Sequence, residues 1–160
     1  SERPVEVEER KRLGHWEGDT VMGCNMRHCV LTLVERTSGY AIVKKLKART
    51  KNEVTRAATR AITKHCRRFK TITFDNGTEF HDYRLLEERF PVKIYFATPY
   101  HSWERGSNEN FNGLLRQYLP KGTCMSAVTQ TQCDHIADDL NNRPRKRLGF
   151  NTPADLYHRH

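Results

Sequence analysis

Three carboxylates stand where acids are not expected. Asp19 lies inside HWEGDTV, a strand-like run in which Gly18 and Thr20 flank it, although strands disfavour Asp. Asp75 follows TITF, a short apolar run over residues 71–74, and the ends of such strands are where α/β sheets hold ligands. Glu109 sits in GSNEN at the start of a helical segment; Asn112 and Arg116, three and seven residues on, make its face polar and basic. If the strand ending at Asp75 pairs beside the first and parallel to it, Asp19 and Asp75 face each other. Two carboxylates brought that close repel, and a cation between them resolves the repulsion. Oxygen-only ligands, with no thiolate or imidazole among them, favour a hard ion such as Mg²⁺ or Mn²⁺.

The elements that must position these acids follow from the hydrophobic pattern. His15 to Met22, Cys29 to Val34 and Tyr40 to Leu46 read as three strands joined by short polar turns, an antiparallel meander. Val54, Ala57, Ala58, Ala61 and Ile62 recur at helical spacing, with Thr50 or Asn52 as the cap. A buried strand over 71–74 ends at Asp75-Asn76-Gly77, and Leu85, Leu86 and Phe90 suggest a short helix before Pro91. Val92 to Ala97 is a fifth strand, and a polar loop from Tyr100 to Gly106 leads to a helix across 107–118. A last helix is expected over 126–140. The order β-β-β-α-β-α-β-α-α gives an α/β fold with a five-stranded mixed sheet, three antiparallel strands then two parallel, flanked by helices. Between Asp75 and Glu109 lie 33 residues, one helix and one strand, enough to bring the chain back to the same sheet edge.

Composition narrows the partners. The 160 residues suit one domain, expected to span 14–160 after a charged N-terminal arm or linker over 1–13. Twenty-eight Lys and Arg against 19 Asp and Glu leave a formal charge of +9, which points to a polyanionic partner such as nucleic acid. No apolar run approaches the roughly 18 residues of a membrane span, and no signal peptide opens the chain. Five cysteines, an odd number at irregular spacing, read as reduced thiols. The chain opens on Ser1 rather than Met, so it is expected to be a piece of a longer protein.

The strings HWEGDTV, TFDNGTEF and TPYHSWERGSNENFNGLLRQYLPKGT, followed by LNNRPRKRLGFNTPADLY, closely resemble the insertion sequence-30 family of bacterial transposases. The resemblance runs from His15 to Tyr157. It implies a DDE catalytic core with the ribonuclease H-like fold shared with retroviral integrases. Carried over residue by residue, the acidic triad falls on Asp19, Asp75 and Glu109. The resemblance further implies Mg²⁺, with Mn²⁺ as a substitute, in two ions held by these carboxylates and by DNA phosphates. In-line displacement at phosphorus needs an activated oxygen nucleophile and a stabilised leaving oxygen, which two metals serve. The expected activity is cleavage at element ends and transfer of the 3′-hydroxyl strand into target DNA. The alternatives are a ribonuclease H-like nuclease without joining and an inactive DNA-binding core. A homo-oligomer working in the bacterial cytoplasm at the nucleoid, with an end-recognition domain upstream, belongs to the same expectation.

Other residues compete for roles. Glu17 shares a strand face with Asp19, yet Glu17, Glu79 and Glu104 are read as solvated surface. Glu109 is preferred to Glu104 because metal sites work best on rigid elements. His15 is read as structural and Trp16 as core. Arg105, Arg116 and Lys121, bracketing the catalytic helix, are the expected phosphate contacts, with Asn108, Asn112 and Trp103 as further DNA-binding candidates. Two basic clusters, Lys44, Lys45, Lys47, Arg49 and Lys51, and Arg143, Arg145, Lys146 and Arg147, are weighed as DNA contacts against ordinary solvated charge.

Overall fold

The computed structural model describes residues 13–24, 27–75, 80–97 and 106–159. The N-terminal arm, the Asn76-Gly77 turn, Glu79, Trp103, Glu104 and Arg105 therefore lie outside the described residues. Within them run β1 (His15–Met22), β2 (Cys29–Glu35), β3 (Ala41–Leu46), α1 (Lys51–Lys64), β4 (Thr71–Phe74), α2 (Tyr83–Arg89), β5 (Lys93–Phe96), α3 (Gly106–Leu115), α4 (Gln130–Asn141) and α5 (Pro153–Arg159).

The sheet has the order β3-β2-β1-β4-β5. β1 and β2, and β2 and β3, pair antiparallel; β1 and β4, and β4 and β5, pair parallel. This is the expected mixed sheet, with β1 at its centre. Both faces are covered. On one, Trp16, Leu31, Leu33, Ile72 and Phe74 pack against α1, α2 and Tyr157 of α5. On the other, Val21, Val30, Val34 and Val43 meet Phe111 and Leu115 of α3 and Leu140 of α4. β2 is buried at every position, as a strand covered on both faces must be, and its sequence is correspondingly a near-continuous apolar run.

The outer edge of β3 is covered by side chains of α4. Asn141 donates to Ala41 O and accepts from Ala41 N, and Gln130 does the same between Val43 O and Lys45 N. An otherwise open row of backbone groups is thereby closed. Lys45 donates to the carbonyls of Met125 and Val128, so this member of the first basic cluster serves the fold.

Two helix boundaries differ from expectation. α3 ends at Leu115, with turns over 116–118, and α4 begins at Gln130 after a separate 3₁₀ turn, Met125–Ala127. Thr129 and Gln132 form a capping box that sets the start of α4. α5 was not expected at all. Thr152 Oγ1 accepts from Asp155 N at 3.0 Å, Asp155 Oδ2 accepts from Thr152 N at 3.3 Å, and Pro153 opens the helix. That helix brings Tyr157 to stack on Tyr40 and meet Trp16 edge-on.

Candidate active site

β1 supplies the base of the site. Period two puts His15, Glu17, Asp19 and Val21 on the face covered by α3. Trp16 and Gly18 look to the other face, where Trp16 is fully buried, stacked on Phe69 and donating to Arg68 O. His15 is buried too, its Nδ1 2.8 Å from Thr71 Oγ1 across the β1–β4 junction. Both have the structural roles expected of them.

Register aligns the two aspartates. His15 pairs with Thr71, Trp16 with Ile72 and Glu17 with Thr73. Carried two residues further, the same offset would bring Asp75, one residue past the end of β4, level with Asp19. Gly18 permits this approach, because a Cβ there would run into the Phe74 ring. Phe80 stacks on Phe74.

α3 and the turn that follows it run alongside β1 and are bonded to it at three levels. Asn108 N donates to Glu17 Oε1 and Asn108 Nδ2 to Glu17 O, both at 3.1 Å. Asn112 Nδ2 donates to Asp19 Oδ2 at 3.1 Å. Arg116 Nη2 donates to Met22 O at 3.1 Å, and its Nη1 to Leu119 O at 3.2 Å. Thr32, the partner of Asp19 on β2, accepts from Asn108 Nδ2 and lies 3.3 Å from Asn112 Oδ1. Asp19 Oδ1 accepts from Thr20 N at 2.9 Å. Each Asp19 oxygen thus accepts from a donor that orients the carboxylate.

Two sequence assignments are corrected here. Glu17 is not solvated surface: it is 0% exposed, and its Oε2 lies 3.1 Å from Nε of the equally buried Arg36. Its carboxylate serves the N-terminal turn of α3, where backbone N–H groups and the helix dipole favour negative charge. Asn108 is 0% exposed as well, which removes it from any surface that DNA can touch and makes it a positioning residue. The alternation of Glu17 with Asp19 was visible in the sequence. Arg36, Thr32 and Asn108 as its companions were not, because they depend on the β2 register and on where α3 docks.

Glu109 is exposed in the first turns of α3. At about 100° per residue it lies within roughly 60° of Asn112 and 20° of Arg116 around the helix, on the flank beside the aspartates. Among the described residues, no three His, Cys, Asp or Glu side chains are gathered closely enough to hold one ion. Glu109 stands exposed on the helix that Asn112 bonds to Asp19. Lys121 is exposed in the turn that follows α3. The five cysteines are all free thiols.

The chain matches the family model described as integrase core domain over residues 9–102. It is 44% identical over 156 residues to the transposase for insertion sequence element IS4351 of Bacteroides fragilis, covering 98% of this chain and 48% of that protein. It is 42% identical over 159 residues to a transposase for insertion sequence element IS30A of Escherichia coli, covering 99% of this chain and 41% of that protein. The chain therefore spans about half the length of the curated relatives it matches. Among solved structures, the catalytic core domain of BIV integrase superposes with a TM-score of 0.70 at 18% identity, covering 92% of this chain and 95% of that one. The HTLV-2 integrase catalytic core domain in complex with magnesium gives 0.65 at 20% identity, covering 91% and 94%. These likenesses identify the fold as that of integrase catalytic cores.

Proposed function

This chain belongs to the integrase core domain family, and from that premise we propose that it is the catalytic core of a DDE transposase. It cleaves DNA strands at element ends and joins the 3′-hydroxyl to target DNA. The observation that supports this is the parallel β1–β4 pairing from His15–Thr71 to Glu17–Thr73, which carried two residues on would bring Asp75 level with Asp19, together with the bond from Asn112 of α3 to Asp19. Parallel carboxylates on neighbouring strands, one strand spacing of about 4.8 Å apart, suit a shared hard cation better than mutual repulsion.

The donor set is all oxygen and fits Mg²⁺ or Mn²⁺, as in the magnesium complex of the HTLV-2 core. Asp19 and Asp75 would hold the metal, with Glu109 as the third carboxylate on its helix. Two bound ions supply activation of the attacking oxygen and charge stabilisation on the leaving 3′-oxygen. Asn112 holds the Asp19 carboxylate in place through its bond to Oδ2. Glu17 and Arg36, buried beneath, fix the N-terminal turn of α3 and with it the position of Glu109. DNA phosphates would complete the shell, met by Lys121 and by the Arg116 N–H groups not engaged with Met22 and Leu119. Asn112 lies at the edge of that contact. Trp103 and Arg105 remain proposed contacts outside the described residues.

DNA is the partner that the charge of +9 favours. A homo-oligomer is proposed because two ends must be processed together. No helix among the described residues is long and apolar enough to cross a membrane; the proposed setting is the bacterial cytoplasm at the nucleoid. A strand-transfer assay with a pre-nicked duplex end and Mn²⁺ tests the activity. Products longer than the substrate are expected; shortened products alone indicate a nuclease, and no reaction indicates an inactive core.

A further inference from the structure

Two of the free thiols stand against each other where the end of β1 meets the segment that follows α3. Cys24 lies in the turn after β1, and its N–H donates at 3.0 Å to Thr123 O, the carbonyl just before Cys124. Gly23 makes that approach possible: a Cβ there would lie 2.7 Å from Thr123 O and 2.3 Å from Met125 Cγ. Chains joined by such a bond run about 4.8 Å apart, inside the roughly 4.4–6.8 Å between Cα atoms that a disulfide spans. The Cys24 side chain is in hydrogen-bonding contact with the Cys124 thiol, and both residues are exposed.

The five cysteines are not alike. Cys29 and Cys133 are buried, and burial pushes the Cys133 thiol up to about 11, which keeps it protonated and inert. Cys66 is exposed on the 3₁₀ turn Cys66–Arg68 after α1. Cys124 is set up differently. Its Sγ lies 2.9 Å from Ser126 Oγ, and that hydroxyl first, then the Ser126 amide, hold the thiol below its ordinary range. Hydrogen bonds to the thiolate enlarge the reactive fraction. An exposed, activated sulfur with a second sulfur in contact is the arrangement of an attacking and a resolving thiol.

We propose that Cys24 and Cys124 form a redox pair, which hydrogen peroxide closes into a disulfide and a thiol reductant reopens, clamping the end of β1 to the segment after α3. The Cys124 thiolate attacks one oxygen of the peroxide. The S–O bond forms, the O–O bond breaks, and hydroxide leaves to take up the Cys124 proton as water. The Cys24 sulfur then attacks the sulfenic sulfur; the S–S bond forms, the S–O bond breaks, and the second hydroxide leaves as water with the Cys24 proton. Two thiols lose two electrons, and the peroxide gains them. Between the two cysteines lie 99 residues, Asp75 and Glu109 among them, and a cross-link over so long a loop restrains the unfolded chain. In a reducing compartment such a bond is transient. This chemistry asks nothing of DNA or of a metal, so its failure leaves the reading above intact.

Hydrogen peroxide in slight excess, followed by alkylation and peptide mapping without reductant, tests the pair in the whole chain. A cross-linked peptide joining Cys24 to Cys124 is expected, with a melting temperature raised by several degrees, and dithiothreitol should reverse both. Cys24→Ser should leave Cys124 as a sulfenic acid that dimedone traps, with no gain in melting temperature. Cys124→Ser should react with peroxide about fivefold more slowly or less, and Cys66→Ser should behave as wild type. The mapping of wild type needs no variant, so it decides the matter even where a substitution folds poorly. Absence of the Cys24–Cys124 peptide, or its formation without a shift in melting temperature, would overturn the clamp. Equal rates in wild type and Cys124→Ser would overturn Cys124 as the attacking thiol.

Discussion

Asn112 on α3 donates to Asp19 on β1, and it does so in step with the bond from Asn108 to Glu17 before it. Asn108 reaches Glu17, Asn112 reaches Asp19 and Arg116 reaches Met22. From Asn108 to Asn112 four helical residues rise about 6 Å, and from Glu17 to Asp19 two strand residues span about 6.6 Å, so this turn of α3 keeps pace with one same-face step of β1. The match lets a single helix take its position from the strand that carries the first aspartate. Glu109 stands on that helix, and its place is set by neighbours it does not touch.

Asn112→Ala removes a charge-assisted bond and is expected to cost about 1–2 kcal/mol, or several degrees of melting temperature. Asn112→Asp sets a like charge against Asp19 and is expected to cost more. Addition of Mn²⁺ should recover much of the loss in Asn112→Asp but little of it in Asn112→Ala, as read by thermal unfolding.

Glu17→Ala leaves Arg36 buried without its partner carboxylate, and breaking such a pair costs about 3–5 kcal/mol. The urea midpoint should fall accordingly. Replacing both by apolar residues, Glu17→Leu with Arg36→Met, should restore much of the stability yet lower DNA cleavage, because Asn108 N then loses its acceptor.

Gly18→Ala forces a methyl into the Phe74 ring, an overpacking of about 1–3 kcal/mol. Since the same contact spaces β1 from β4, the variant should also lose divalent-ion affinity. Phe74→Leu in the Gly18→Ala background makes room, and both properties should partly return.

Stability should fall on mild acidification, and His65 contributes to that. Burial first, then Lys64, Lys44, His158 and Arg68, push its pKa down from 6.5 to about 4; its Nδ1 lies 3.1 Å from Tyr157 OH. The folded state binds the proton less well than the unfolded chain, so this stability is present above pH 6.5 and is lost as pH falls toward 4. His65→Gln should flatten the decline of the urea midpoint between those values.

Much of this was legible because it is local. β1 and β4 were bounded at the residues found, since alternation and turn residues mark them, and Asp19 and Asp75 were placed by the same pattern. The Thr-Pro-x-Asp signature of α5 was also local; it was read as part of a resemblance rather than as a helix start. Glu17 was misjudged for another reason. An acid in isolation belongs in water, and only the arrival of Arg36 and Asn108 from distant segments makes its burial affordable. Nothing in the spacing of Cys24 and Cys124 marks them as neighbours; that required the turn after β1 to meet the segment after α3.

The most direct measurement is calorimetric titration of Mn²⁺ into the protein with a short DNA duplex present, against Asp19→Asn, Asp75→Asn and Glu109→Gln. Saturable binding by wild type, weakened about tenfold or more by each aspartate change as a ligating charge is lost, is the expected result. Glu109→Gln should weaken it as well, as the third proposed carboxylate is lost. Equal binding by wild type and both aspartate variants would contradict the assignment of the metal, and with it the chemistry, to Asp19 and Asp75.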